Sequence, residues 1–169
     1  KNALYILKTL AKTSAGDFLI KKVDPINLTE KRRIKVYNTY YNKHYGIAYE
    51  KCQDDDKGFI LNKFTHFSWV SFWVKNDKEG YYNARIRFSS ILPGFGVVFK
   101  KYEQSLGEIT NLESTGDWQK WSTSPQFSIF LPKGTYELTL LFVGYDYKTV
   151  DPQKGNINWL EIDIPTTKK

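Results

Sequence analysis

The chain has little cysteine, no methionine and no long apolar run. Its single cysteine, Cys52, excludes a disulfide within the chain. No apolar stretch approaches the ~20 residues that cross a bilayer, so the sequence predicts no membrane-spanning helix. Methionine is absent even from position 1. We therefore expect a processed or excised piece of a longer protein, in which a missing leader says nothing about location.

Motifs for catalysis are also scarce. The two histidines, His44 and His66, do not stand at a metal-binding spacing, and no glycine-rich phosphate loop is present. Cys52 and His44 are the one conceivable nucleophile and base, but nothing in the local sequence marks a nucleophile. The acidic run 54–56 offers oxygen ligands for calcium, although such runs in loops are usually just solvated. The sequence therefore gives no support for an enzyme.

Aromatic residues, in contrast, are abundant. The 169 residues include 12 Tyr, 11 Phe and 5 Trp, more than one core of this size needs. Some rings are therefore expected at the surface, where flat apolar faces bind sugars, bases or partner proteins. The net charge of +7 is dispersed, and Lys31-Arg32-Arg33 is the only run of three basic residues. This distribution is typical of a solvated surface rather than of a dedicated polyanion site.

Apolar and polar residues alternate along many short segments. In 81–88 the residues Tyr82, Ala84, Ile86 and Phe88 share one face, and the same period of two recurs in 126–131 and 135–143. Further strands are expected at 18–23, 33–37, 46–50, 58–62, 67–75, 95–102 and 156–164, with turn residues between them. The spacing predicts an all-β fold, a jelly-roll β-sandwich of antiparallel strands.

The expected organisation is one sandwich with short additions at both ends. Residues 33–165 form the sandwich, and residues 166–169 form a tail. Residues 1–32 are expected to be an N-terminal extension or edge strands packing on the sandwich, and the one candidate helix lies near residues 2–12.

Three segments together carry a family resemblance. They are 46–54 leading into 67–72, 114–121 leading into 127–136, and 155–162. The second contains the run T-G-x-W-x-x-W, then a strand, then L-P-x-G-T-Y, and the third contains N-x-N-W. In order and spacing they resemble the family 6 carbohydrate-binding modules and their close relatives. The resemblance covers roughly residues 33–164 and implies a jelly-roll domain attached to secreted polysaccharide-degrading enzymes.

The resemblance also implies a sugar site at the loop end of the sandwich. Trp118 matches a family aromatic that stacks on the sugar, Asn156 matches a hydrogen-bonding Asn, and Glu50 matches a hydrogen-bonding Glu. Asn158 is the fallback if the register differs by one face. Trp121 is the better core candidate of the two neighbouring tryptophans.

The sequence departs from the family pattern in two places. The position of the first sugar-clasping aromatic falls on Lys63, with Phe64 beside it. Either Phe64 takes the role, or a cation replaces the ring and suits an anionic glycan; loop tyrosines 145 and 147 are further candidates. The family's calcium-binding glutamates are replaced by Lys35 and Tyr37. Because Asp163 alone would not hold the ion, we expect no cofactor and no metal.

The sequence thus predicts a non-catalytic carbohydrate-binding module of a larger extracellular or cell-surface protein. Its partners would be a neutral or anionic polysaccharide or oligosaccharide and a covalently linked enzyme module, with no membrane partner. One alternative is a structural or protein-interaction sandwich that has lost sugar binding. Nucleic-acid or acidic-polymer binding through Arg85 and Arg87 is less favoured, and a catalytic sandwich is the remaining alternative.

Overall fold

The computed structural model describes residues 24–29, 32–36, 41–55, 57–62, 68–144 and 155–163. In these ranges the chain forms 13 strands: β1 (Ile26–Asn27), β2 (Arg32–Lys35), β3 (Tyr41–Tyr45), β4 (Ala48–Lys51), β5 (Phe59–Asn62), β6 (Trp69–Asn76), β7 (Gly80–Ser89), β8 (Phe95–Lys101), β9 (Gln104–Leu112), β10 (Ser122–Thr123), β11 (Phe127–Leu131), β12 (Gly134–Val143) and β13 (Asn156–Ile162). No helix in the described part is long and apolar enough to span a bilayer. The predicted helix near 2–12 and strand 18–23 lie outside the described residues.

The strands build two sheets that pack face to face. In the first sheet the order is β1-β6-β12-β8-β9, and β3 also pairs with β6. In the second the order is β10-β7-β13-β5-β4, with β11 on β7 and β2 on β13. All pairings recorded for the described strands are antiparallel except that of β1 with β6. The predicted antiparallel jelly-roll sandwich is confirmed.

The core follows the period-two pattern of the sequence. The alternate residues predicted to share a face of β7 are all buried, and so are their counterparts on β12. The core fills with residues from both sheets, among which the largest fully buried side chains are Tyr136, Phe72, Phe95, Phe99 and Phe142. Each of the four phenylalanine side chains contributes about 1.5–3 kcal/mol through its removal from water.

Strand β9 was not predicted, and its bulges explain why. Its buried residues Leu106, Ile109 and Leu112 recur every third position rather than every second. The pairing with β8 shifts register between Phe95 and Val97 and again between Phe99 and Lys100. A bulge adds one residue to one strand, so the alternation that marks a strand is lost. Strand β3, which also shifts register against β6, was missed as well.

A buried amide joins two neighbouring turns at one end of the sandwich. The Asn76 side chain is 1% exposed. Its Nδ2 donates to the carbonyl oxygens of Lys78 (2.8 Å), Leu131 (3.2 Å) and Pro132 (3.1 Å). Its Oδ1 accepts a hydrogen bond of 3.1 Å from the Tyr82 hydroxyl. One side chain therefore fixes both the β6–β7 turn and the β11–β12 turn.

We predict that Asn76→Ala lowers the free energy of unfolding by about 1–3 kcal/mol, because buried carbonyls lose their donor. Urea unfolding followed by tryptophan fluorescence measures the change. Asn83→Ala serves as the control, because it changes an exposed residue on β7, the next strand along the chain. This substitution should change stability by less than about 0.5 kcal/mol. Equal effects of the two substitutions would contradict the assigned role of Asn76.

Candidate carbohydrate site

The segment between β9 and β10 carries Trp118, the predicted stacking residue. The turn after β7 holds the first half of this segment in place. The Ser90 carbonyl accepts hydrogen bonds from the backbone amides of Thr115 (2.8 Å) and Gly116 (3.2 Å). The Ser90 amide in turn donates to Thr115 Oγ1 at 2.8 Å. Gly116 has φ 87°, a conformation that glycine adopts without strain. These bonds turn the chain back toward the sandwich just before Trp118.

Trp118 is held in place through its backbone. Its carbonyl oxygen accepts hydrogen bonds from Asn156 Nδ2 at 2.8 Å and from the Ser89 hydroxyl. Asn156 Nδ2 also contacts Ser89 Oγ at 3.2 Å. Asn156 is 2% exposed at the start of β13, whereas Trp118 is only partly buried. Two strand ends therefore fix the loop at the residue that bears the aromatic ring.

Gln119 links the same loop to the end of β4. Its Oε1 accepts hydrogen bonds from the Gln53 amide (3.1 Å) and from the Trp121 indole nitrogen (3.3 Å). Its Nε2 donates to the Lys51 carbonyl at 3.4 Å. The second sheet thus contacts this loop from β4, β7 and β13.

The structure brings three of the predicted site positions to this end of the sandwich. Trp118 and Asn156 are in direct contact, and the exposed Glu50 precedes Lys51, whose carbonyl holds the loop. Whether these side chains contact a sugar stays a prediction. The other predicted positions, Lys63 and Phe64 and the tyrosines at 145 and 147, lie outside the described residues.

Trp121 does not lie in the core, and that expectation was wrong. The residue is partly buried, and its indole N–H bonds to Gln119 rather than entering the apolar interior. An indole N–H needs a hydrogen-bond partner, which the apolar interior does not provide. Stacked phenylalanine rings fill the nearby core instead, with centroid distances of 6.3 Å from Phe95 to both Phe88 and Phe142.

A buried carboxylate lies beneath the same end of the second sheet. Arg87 on β7 donates to Asp54 through two bonds of 2.8 Å, one to each carboxylate oxygen. Asn158 Nδ2 donates a third bond of 2.9 Å to Asp54 Oδ2. These hydrogen bonds, with that of Arg87 the strongest, lower the pKa of Asp54 from 3.8 to about 2, against the opposing effect of burial. The acidic run 54–56 therefore supplies an ion pair at its first residue instead of a free calcium ligand.

This ion pair predicts a specific pH dependence of stability. The pKa of Asp54 is lower in the folded than in the unfolded chain. The pair therefore stabilises the fold fully above about pH 4, and this contribution is lost as the pH falls from about 4 to 2. The expected loss is about 2 kcal/mol. Urea unfolding at pH 2–6 should show it in the wild type and not in Asp54→Asn, which cannot titrate. An identical pH profile for the two proteins would contradict the assignment.

The donor set around Lys35 does not fit a calcium ion. Lys35 Nζ donates to the Lys57 carbonyl at 3.1 Å and to Asn158 Oδ1. Both oxygens therefore already contact the Lys35 ammonium group, which would repel a calcium ion bound at the same place. Among the residues that the structure describes, no group of three acidic, histidine or cysteine side chains is placed to hold a metal. Tyr37, the other replaced family position, lies outside the described residues.

We predict that calcium does not stabilise this protein. A ligand present at about 100 times its Kd stabilises the folded state by about 2.7 kcal/mol, which a melting curve resolves. Thermal unfolding in millimolar calcium and in EDTA should give the same Tm. Lys35→Gln should lower the Tm in both buffers, because Asn158 and Lys57 lose a charged donor. A rise in Tm with calcium would overturn the assignment.

The basic residues proposed for a polyanion site are engaged within the protein. Arg87 is paired with Asp54, and Arg85 Nη1 lies 3.7 Å from Glu161. Arg33 bonds the same glutamate at 2.9 Å, and its guanidinium carbon lies 4.1 Å above the Trp159 ring. Partners on the same sheet therefore offset the charge of these arginines. Nucleic-acid binding through Arg85 and Arg87 gains no support from this arrangement.

The sequence did not reveal the residues that anchor the loop. Ser89, Ser90 and Gln119 act through polar contacts with residues that are distant in the chain. The position of Ser89 and Ser90 at the end of an alternating strand was the only available signal. Arg87 was visible as an outward-facing residue, but its partner lies 33 positions away.

Comparisons with known proteins bear on this architecture. The model of the family "Carbohydrate binding module (family 6)" matches residues 39–163. A β-1,3-glucan-binding family 6 module from Bacillus halodurans superposes with a TM-score of 0.71 at 24% identity, covering 83% of this chain and 99% of that one. The C-terminal family 6 module of the laminarinase LamC from Zobellia galactanivorans gives 0.66 at 23%, covering 79% and 99%. A module of Cellvibrio mixtus lichenase 5A, solved with cellotriose, gives 0.65 at 21%, covering 78% and 95%.

Longer enzymes contain the same fold as one part. A glycoside hydrolase family 43 arabinoxylan arabinofuranohydrolase from Bacillus subtilis matches with a TM-score of 0.68 at 14% identity, covering 83% of this chain and 28% of that one. No curated protein matches the chain.

Fold and family model together define a non-catalytic, carbohydrate-binding β-sandwich. The chain belongs to family 6 of the carbohydrate-binding modules, and the predicted resemblance is confirmed.

Proposed function

We propose that this module binds a polysaccharide by stacking Trp118 on a sugar ring, with hydrogen bonds from Glu50 and Asn156. The single observation that carries the proposal is the fixed backbone of Trp118, whose carbonyl is held by Asn156 and Ser89 while its side chain is only partly buried. A loop backbone fixed before binding loses little conformational entropy on contact with a ligand.

The chemistry of a sugar suits this end of the sandwich. One face of a pyranose ring is a patch of C–H groups that packs on an aromatic ring, and its hydroxyls need fixed donors and acceptors. Glu50 on β4 supplies a carboxylate acceptor. Asn156 takes the role of positioning the loop, because its amide nitrogen already bonds the Trp118 carbonyl. The Oδ1 atom of Asn156 is the group that would accept a hydrogen bond from a sugar hydroxyl.

The proposed ligand is a glucan or a xylan-type chain. A solved relative is described as β-1,3-glucan binding, and others were solved with cellotriose, xylose and cellobiose. Lys63 supports an anionic glycan as the competing ligand class, since a lysine in a shallow site favours acidic sugars. The salt dependence of the affinity distinguishes neutral from anionic ligands. Screening weakens contacts between exposed charges, whereas it leaves stacking on a neutral ring nearly unchanged.

The location and role that we propose for the module follow from the kind of ligand it binds. A polysaccharide of this kind lies outside the cell, so we infer an extracellular or cell-surface location. We further propose that the module is covalently linked to an enzyme and keeps that enzyme on its substrate, an arrangement that the longer Bacillus subtilis enzyme exemplifies.

Trp118→Ala should weaken binding to a neutral glucan at least ~10-fold, because an aromatic anchor contributes on the order of 2 kcal/mol. Calorimetry with laminarin, soluble cello-oligosaccharides and xylan measures the affinity at low and moderate salt. The matched control is Tyr81→Ala, which removes a ring that is 72% exposed on β7, and binding should persist.

Three other outcomes would change the conclusion. Binding to acidic glycans alone, lost with salt, would transfer the site to Lys63 and the basic surface. Equal affinity of Trp118→Ala and wild type would remove Trp118 from the site. Binding to no glycan by a folded wild type would favour the structural or protein-interaction alternative.

A further inference from the structure

A groove runs between the edge strand β9 and the chain segment 113–127. Its volume is about 720 Å³, within the range of small-molecule sites. None of the predicted sugar-site residues Trp118, Asn156 and Glu50 lines it. We name it the edge groove and define it by Phe88, Glu108, Leu112, Glu113, Trp121 and Phe127.

The edge groove has an apolar floor and a polar rim. Phe88 and Leu112 of the buried core form the floor together with the partly buried Phe127. The lining also includes the exposed residues Glu108 and Glu113, together with residues of the segment 114–126 that carry hydroxyl and amide groups. Apolar surface surrounded by hydrogen-bonding groups matches the mixed character of an oligosaccharide, whose C–H faces alternate with hydroxyls.

Trp121 forms part of the wall, and its orientation is fixed. Its indole N–H donates to Gln119 Oε1, which is itself bonded to the Gln53 amide. The polar edge of the ring is therefore satisfied within the protein, and the ring stays partly accessible in the groove. An aromatic side chain with these properties can stack on a ligand without a conformational cost.

A peptide strand is a less suitable occupant, although β9 is the edge of its sheet. Strand addition requires an extended, regular edge. The pairing of β9 with β8 is broken by two register shifts, and Asn111 has φ 55°, in the left-handed region. The outward carboxylate of Glu108 further opposes the approach of another strand.

The charge of the groove also narrows the ligand class. The carboxylates of Glu108 and Glu113 line it, against one ammonium group, that of Lys120. This balance disfavours an acidic ligand, even though the whole chain carries a net charge of +7. The lining therefore favours an uncharged sugar.

We propose that the edge groove is a second glycan site that takes a neutral oligosaccharide independently of Trp118. The proposal rests on the carbohydrate-binding function proposed above. A chain with two sites of different composition binds a long polysaccharide more tightly than either site alone, since the second contact is intramolecular.

Titration of the ¹⁵N-labelled protein with cellohexaose and with laminarihexaose, followed by amide chemical shifts, tests the proposal. We expect two groups of shifted amides, one around Trp118 and one around residues 108–113 and 121–127, with separate dissociation constants. In Trp118→Ala only the groove group should respond. Trp121→Ala should weaken the groove response roughly 10-fold, and Trp121→Phe should restore most of it.

A second variant protects the test against a disturbed loop, since Trp121 bonds Gln119. Glu108→Arg changes an exposed rim residue on β9, away from the Trp118 contacts. It should weaken the groove response for both neutral hexasaccharides and leave the Trp118 response unchanged.

Each remaining outcome is decisive. Shifts confined to the Trp118 region overturn the second site and leave the proposed function intact. Loss of all shifts in Trp118→Ala shows a single site and overturns the proposal. No shifts with either hexasaccharide in the wild type overturn the proposal, and the calorimetry with xylan and acidic glycans then decides the proposed function separately.

Discussion

The ion pair of Arg87 and Asp54 is the interaction that connects the strands of the second sheet at the end nearest Trp118. Asp54 lies in the loop between β4 and β5, and Arg87 lies near the end of β7. Asn158 of β13 joins the pair, and Lys35 of β2 bonds Asn158 in turn. Five strands are thus connected through one buried carboxylate. Removing Asp54 or Arg87 alone would leave the other charge without this partner, and breaking a buried pair in that way is destabilising.

This network lies next to the loop that bears Trp118. The residue that follows Arg87 by two positions, Ser89, contacts the Trp118 carbonyl, and Asn156 precedes Asn158 by two positions on β13. The strands β7 and β13 therefore carry the charged cluster. Two residues further along each strand, they carry the neutral hydrogen bonds that position the Trp118 loop.

The sequence predicted the sandwich because three of its strands, β7, β11 and β12, alternate between buried and more exposed residues. Each of the predicted buried faces of β7 and β12 is buried in the structure. The sequence did not predict strand β9, where bulges replace the period of two. It also misplaced Trp121, because the hydrogen-bond partner Gln119 cannot be inferred from spacing. Local pattern determines which residues point inward, whereas a bulge depends on the neighbouring strand.

For the site, the sequence supplied the residue types but not their connections. Trp118 and Asn156 were selected by resemblance, and the structure places them in contact. The salt-bridged role of Arg87 could not be read from the chain, because a partner 33 positions away is chosen by the fold. The expectation that Lys35 disfavours a cation stays a prediction, and it could be made from the sequence because that argument needs only the sign of a charge.

The anchoring of the Trp118 loop through main-chain oxygens has an evolutionary consequence. The acceptors on Ser90, Lys51 and Trp118 itself are backbone carbonyls, which every amino acid possesses. The shape of this loop is therefore largely independent of the side chain at position 118. Such a scaffold tolerates exchange of its recognition residues without loss of folding, so that related modules can diverge in ligand preference while their architecture stays constant.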